Sequence, residues 1–132
     1  MSDRTTLLAL AERCEQATGP DGMLDYKIAL AAGYRFEMRE YEKRKRWRDS
    51  KGVRCSGLTT DGAPPRFTAS LDAAVMLVPE GWRWSLNWAH YARLWLDAGP
   101  GKPPHDTVQC HQCATPALAL CAAAIRALGE KQ

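Results

Sequence analysis

The sequence predicts one α+β domain, a layered helix/antiparallel-sheet/helix sandwich. Stretches whose apolar residues recur every three or four positions are interspersed with stretches of strict two-residue alternation, the signatures of amphipathic helices and half-buried strands. The strand-like stretches come in pairs joined by short turns, which makes the sheet mainly antiparallel and leaves the helices to cover it. The chain has 132 residues, 45% hydrophobic and 25% charged. That size and balance give one compact domain that buries about two thirds of the surface its unfolded form exposes, with no need for disulfides or a metal to replace a missing core.

In residues 5 to 18, Leu7, Leu10, Ala11, Cys14 and Ala17 share one face while Glu12, Arg13, Glu15 and Gln16 occupy the other, and Gly19-Pro20-Asp21-Gly22 stops this first helix. A shorter second helix carries Leu24, Ile28, Ala31 and Ala32; it is opened by Asp21 or Gly22 and closed by Gly33, the residue best able to take a left-handed cap. Tyr34, Phe36 and Met38 then alternate with Arg35, Glu37 and Arg39, which puts three large apolar groups on one strand face. The strand is expected to run through Tyr41 to Arg48, turn at Asp49-Ser50-Lys51-Gly52 and return at Val53-Arg54-Cys55. This is a hairpin with a basic outer face, the alternative being a short charged helix at 40 to 47. Residues 56 to 66 are turn-rich and read as a loop.

Ser70 is placed to cap a helix over 71 to 78, with Asp72 near its positive end, and Pro79-Glu80-Gly81 ends it. Trp82, Trp84, Leu86 and Trp88 alternate with Arg83, Ser85 and Asn87, so the tryptophan row is expected to pack beneath the helices, the alternative being an aromatic floor for a ligand. Ala89 and His90 turn the chain into another strand at 91 to 96, and residues 97 to 114 read as a flexible loop. Thr115 as cap and Pro116 at the first helical position open a last helix whose Leu118, Cys121, Ala122, Ile125 and Leu128 form one stripe, stopped by Gly129.

The net charge of +3 is small but unevenly placed. Residues 39 to 54 hold eight basic groups, Arg39, Lys43, Arg44, Lys45, Arg46, Arg48, Lys51 and Arg54, against Glu40, Glu42 and Asp49. This arm is therefore +5 and the rest of the chain −2. With Tyr41 and Trp47 interleaved, it has the groups to neutralise phosphates and stack on a base, or to meet an acidic protein surface. The plainer alternative is a solvated hairpin face that protects a sheet edge.

Cys110-His111-Gln112-Cys113 has the C-x-x-C spacing of half a tetrahedral zinc site, with His105 and His111 as further ligand candidates. A second C-x-x-C is missing, so the chain is expected to need no cofactor, with zinc at Cys110, Cys113, His105 and His111 as the alternative. The same segment supplies the residue types for a Cys/His nucleophile, but in a Pro- and Gly-rich loop ill suited to hold catalytic geometry. The chain contains no G-x-S-x-G, phosphate-loop or H-E-x-x-H motif, so catalytic residues are assigned to none of its side chains. Five cysteines, an odd count, and an N-terminal stretch without a secretory signal's apolar core lead to the expectation of a cytoplasmic protein with reduced thiols. The longest apolar run, 117 to 125, falls well short of the roughly 18 residues of a membrane span, so no membrane partner is expected.

Three blocks together resemble the phage ABA-sandwich domain family, small proteins encoded by bacteriophages and prophages. They are Leu7-Leu8-Ala9-Leu10-Ala11-Glu12-Arg13-Cys14-Glu15 with Ala17-Thr18-Gly19-Pro20-Asp21; Pro65-Arg66-Phe67-Thr68-Ala69-Ser70-Leu71-Asp72-Ala73-Ala74 with Leu77-Val78-Pro79-Glu80-Gly81-Trp82; and Ala114-Thr115-Pro116-Ala117-Leu118-Ala119-Leu120-Cys121-Ala122-Ala123-Ala124. The resemblance implies the layered fold and supplies no catalytic residue. Together with the small size, the absence of catalytic motifs and the charged insertion, the resemblance leads to the expectation of a non-enzymatic phage or prophage accessory protein in the bacterial host's cytoplasm that binds a host protein or ribonucleoprotein complex, as an anti-defence, anti-CRISPR-like inhibitor would. A nucleic-acid or nucleotide binder that uses the basic arm is the alternative, and a homodimer is compatible with either. The blocks fall on caps and apolar faces, so function is expected in the segments between them, 39 to 62 and 89 to 113.

Overall fold

In the computed structural model, which describes residues 3–37, 46–49, 51, 63–87, 90–96, 105–110 and 112–130, the chain starts with a capped helix. Asp3 accepts a hydrogen bond from the Thr6 amide at 2.8 Å and opens α1 (Arg4–Gln16). Leu7, Leu10, Ala11 and Cys14 form its buried stripe, as the spacing predicts. Asp21, not Gly22, caps α2 (Gly22–Ala31), accepting from the Met23 and Leu24 amides. That helix ends in a Schellman motif: the Gly33 amide donates to Leu30, the Tyr34 amide donates to Ala29, and Gly33 sits at φ +94°, where a side chain would be strained.

Strand β1 (Arg35–Glu37) pairs antiparallel with β2 (Arg46–Arg48) in the register Arg35 with Arg48, Phe36 with Trp47 and Glu37 with Arg46. The basic arm is thus part of a hairpin, but its return strand is 46–48 and its connection falls in 38–45, outside the described residues. The expected turn after Arg48 is present at its described residues, where the Lys51 amide donates to the Asp49 carboxylate at 2.9 Å, but β2 pairs back with β1 rather than forward across that turn. Alternation cannot distinguish the two, because the short strands owe their pairing to the Phe36–Trp47 contact and not to a turn signal. The expected return strand at 53–55 also lies outside the described residues.

A tight turn at Pro65 to Ser70 buries Phe67, whose ring meets Tyr34 edge to face with centroids 5.4 Å apart. Ser70 caps α3 (Leu71–Val75), which ends three residues earlier than the apolar run suggests; Met76 to Val78 continue as turns. Strands β3 (Trp82–Leu86), β4 (Ala92–Leu96) and β5 (His105–Gln109) form an antiparallel sheet in that order, with a register irregularity between Leu94 and Leu96. The strand β5 corrects the flexible loop expected over 97–114. Of its residues only Val108 is a large apolar group, and an edge strand held by hydrogen bonds to β4 leaves almost no periodic trace.

Helix α4 (Pro116–Glu130) is capped by Thr115, whose hydroxyl accepts from the Leu118 amide at 3.1 Å. It is not amphipathic in place: Ala117 to Ile125 are all buried. One side packs on the β3-β4-β5 sheet, above all on β4, and the others on α1 and α3. Gly129 does not stop it, since the helix runs to Glu130 and Gly129 is buried against Arg4 and Leu7 of α1. Together the parts make a single compact α+β domain with helices packed on sheet. Among the described residues no helix is long and apolar enough to cross a membrane.

Candidate functional site

The arm is the first place the sequence directs attention, and its described end faces inward. Trp47 is 3% exposed. Its ring meets Tyr26 of α2 edge to face at 5.7 Å and Phe36 at 5.4 Å. Arg48 is buried as well, and Lys51 is exposed and paired with Glu80 at 3.2 Å. Trp47 is therefore a core residue that fastens the hairpin to α2, which corrects its expected role as a stacking platform. The structure describes the backbone of Arg46 in β2; Arg39, Lys43, Arg44, Lys45 and Arg54 lie outside the described residues. Beside Lys51, a cleft of about 470 Å³ opens between the hairpin and the end of α3, floored by Tyr34, Met76, Leu77 and Leu128 and rimmed by Asp49 and Glu80. It is a mostly apolar groove with no convergent set of polar groups.

The contact that buries Trp47 leaves other large apolar groups outside. Met23, Tyr26 and Leu30 lie at helical spacing on the outer face of α2, with Met23 66% and Tyr26 46% exposed, and Phe36 on β1 is also exposed. Trp47 touches both Tyr26 and Phe36, so these residues form one continuous ridge over helix and hairpin. Lys27 and Arg35 stand exposed beside it. Pattern reading found the inner face of α2 and missed this outer one, although Met23, Tyr26 and Leu30 repeat at the same three- and four-residue spacing.

The inner face of α2 carries a buried polar lock. Asp25 accepts hydrogen bonds from the Thr68 amide at 2.8 Å and the Thr68 hydroxyl at 2.7 Å, and the Asp21 amide donates to the same hydroxyl at 2.9 Å. Burial raises the Asp25 carboxyl above the ordinary aspartate range, and the Thr68 hydrogen bonds offset only part of that rise. This lock fixes α2 to the turn before α3, and no motif announces it.

Cys110 and Cys113 are both buried and close together at the foot of α4. The Cys113 thiol donates to Cys110, the Ala92 amide donates to Cys110 Sγ at 3.1 Å, and together they hold Cys110 at about 7 against the burial that opposes ionisation. The same hydrogen bond, with burial, pushes Cys113 well up. Elsewhere in the core, burial pushes Cys14 up to about 12 and raises Cys121, whose thiol donates to the Phe67 carbonyl at 3.1 Å. Among the described residues no three His, Cys, Asp or Glu side chains are placed to hold a metal ion. His105 falls in β5 and His111 outside the described residues. What the structure brings together at this point is a pair of thiols.

The tryptophan row divides. Trp82 is buried, Trp84 is exposed across the sheet from buried Leu94, and Trp88 lies outside the described residues. The cause is sheet order: β3 is an edge strand and α4 packs chiefly under β4, so the end of the row overhangs the helix. No protein family, curated protein or solved structure matches the chain.

Proposed function

We propose that this is a non-enzymatic phage or prophage accessory protein of the bacterial host's cytoplasm, and that it works by docking onto a host protein to blunt a defence system such as CRISPR interference. The observation that carries the binding part is the ridge of Met23, Tyr26, Leu30 and Phe36. Large apolar groups clustered on a surface and backed by a rigid aromatic core are what a protein interface is built from. Lys27 and Arg35 beside the ridge favour a partner with an acidic rim. The phage assignment is supported by the three sequence blocks and by the small size of the chain.

The test is capture from bacterial lysate after nuclease treatment, comparing the native chain with a Met23→Ser, Leu30→Ser variant. The expected result is one host protein, or one complex, held by the native chain and lost from the variant. Capture that the variant retains overturns the reading, and so does a stable homodimer in solution that the same substitutions dissociate, because the ridge then serves self-association.

A further inference from the structure

At the foot of α4 two thiols meet on a backbone that is pinned around them. The Cys110 amide donates to the Ala92 carbonyl at 3.2 Å, and the Cys113 amide donates to the His90 carbonyl at 3.3 Å. The His90 ring in turn donates from Nδ1 to the Cys113 carbonyl at 3.3 Å. Both cysteines are therefore fastened to the chain entering β4, and the Cys113 thiol donates to Cys110 Sγ. The Ala92 amide donates to the same sulfur at 3.1 Å. These two donors favour negative charge on Cys110 and keep the proton on Cys113, which divides the pair into an attacking sulfur and a second one beside it.

Their surroundings set these thiols apart from Cys14 and Cys121. Those two are wholly enclosed, and the Cys121 thiol is committed to the Phe67 carbonyl. Cys110 and Cys113 keep 6% and 5% of their surface open, next to exposed Gln112. So narrow an opening favours a small oxidant over a bulky one.

We infer that Cys110 and Cys113 form a reversible dithiol/disulfide centre whose oxidant is hydrogen peroxide or a comparably small hydroperoxide. In the first step the Cys110 thiolate attacks a peroxide oxygen. The S–O bond forms, the O–O bond breaks, and the departing hydroxide or alkoxide takes up the proton that Cys110 gave to solvent, leaving Cys110 as a sulfenic acid. In the second step the Cys113 sulfur attacks the Cys110 sulfur. The S–S bond forms, the S–O bond breaks, and the hydroxide leaves as water with the Cys113 proton. Two thiols and one hydroperoxide thus give one disulfide, one water, and a second water or an alcohol; each sulfur loses one electron and the O–O bond takes both. Once Cys110 carries no negative charge, the attraction that keeps the proton on Cys113 is gone, so the first step prepares the second. Because the thiols are already in contact, side-chain rotation suffices to join them. A small dithiol restores the pair by exchange through a mixed disulfide. This centre lies apart from the α2 ridge and does not depend on the docking reading.

The test uses the full chain, reduced with dithiothreitol, freed of it, and mixed with hydrogen peroxide at neutral pH. Peptide mapping without reductant should show Cys110 joined to Cys113, with two thiols lost for each peroxide consumed and both recovered on adding dithiothreitol. Cys113→Ser should halt the reaction at the Cys110 sulfenic acid, which dimedone labels, and Cys110→Ser should leave Cys113 a thiol. Serine is close to cysteine in size, and an unchanged circular dichroism spectrum separates lost chemistry from lost folding. In the native chain, absence of the disulfide, progress of Cys110 to sulfinic acid in its place, pairing of Cys110 with Cys55, or oxidation of Cys14 and Cys121 as fast as Cys110 each overturns the inference. The Met23→Ser, Leu30→Ser variant should form the disulfide normally, so failure of one reading is distinguishable from failure of the other.

Discussion

In α4 the residues from Ala117 to Ile125 are buried on every side, whereas α2, which shares its Leu, Ile and Ala, leaves Met23, Tyr26 and Leu30 in solvent. Apolar composition states that a helix favours being covered; position decides what covers it. Helix α4 lies between α1, α3 and the sheet, and its many alanines let those neighbours approach on all sides. Helix α2 packs at the periphery against α1 and, where Tyr26 meets Trp47, against the hairpin, and most of its outer side stays exposed. That uncovered apolar surface is what the proposed docking onto a partner would use.

The contrast is tested most severely by truncation in α4. Leu118→Ala removes a fully buried side chain from a close-packed site and should cost about 2–5 kcal/mol, read as a lower urea midpoint. Next in size is the lock on the inner side of α2. Asp25→Ala leaves the Thr68 amide and hydroxyl buried without their acceptor and should cost about 1–3 kcal/mol. The carboxyl's raised value also fixes a sign. Its neutral form favours the fold, so this contribution is complete below the ordinary aspartate value of 3.8 and is lost as pH rises through the higher folded value. Asp25→Asn should flatten that part of the stability–pH curve, and an unchanged curve would show that Asp25 is not its source.

At the foot of α4, alkylation of Cys110 followed by mass spectrometry should rise with a midpoint near pH 7, and Cys113→Ala should move that midpoint upward. A midpoint near that of an ordinary thiol in the native chain would contradict the hydrogen bonds assigned to it. Gly129→Ala should be accepted and should stabilise by about 0.5–1 kcal/mol, since the added carbon meets Arg4 and Leu7 at 3.7 and 3.9 Å, ordinary contact distances, in a helix where glycine is unfavourable. Smallest of all is the effect of Met23→Ser with Leu30→Ser on folding, about 0.5 kcal/mol or less by thermal melting. If these substitutions instead unfold the chain, the ridge belongs to the core and the contrast between the two helices collapses.

What was legible in the sequence follows the range of the forces involved. Asp21, Gly33, Ser70 and Thr115 act within a few residues of where they stand, and all four perform the capping or stopping role their chemistry predicts. The α+β layering was readable for the same reason, because periodicity is local. Strand β5 was not, since His105 to Gln109 become a strand only through β4. Trp47 shows the limit most sharply: a tryptophan among arginines looks like a surface group, yet Tyr26 and Phe36, distant in sequence, enclose it. The candidate surface was less legible still. Exposure of the α2 ridge depends on what does not pack against it, and no single segment encodes that.

The pairing of α1 with α4 has a consequence for how the protein comes into being. Arg126 holds Glu15 across 111 residues of chain, at 2.6 Å, and the two helices pack extensively against each other. During synthesis α1 emerges long before the helix that covers it, and the intervening strands emerge before the helix they rest on. Folding therefore waits for the last helix, with loop closure over nearly the whole chain as its toll on speed. Until then Leu7, Leu10 and Cys14 are open to the cell's folding assistants or to aggregation. A nascent chain arrested before α4 should be captured by a holdase chaperone, and release of the completed chain should end that capture.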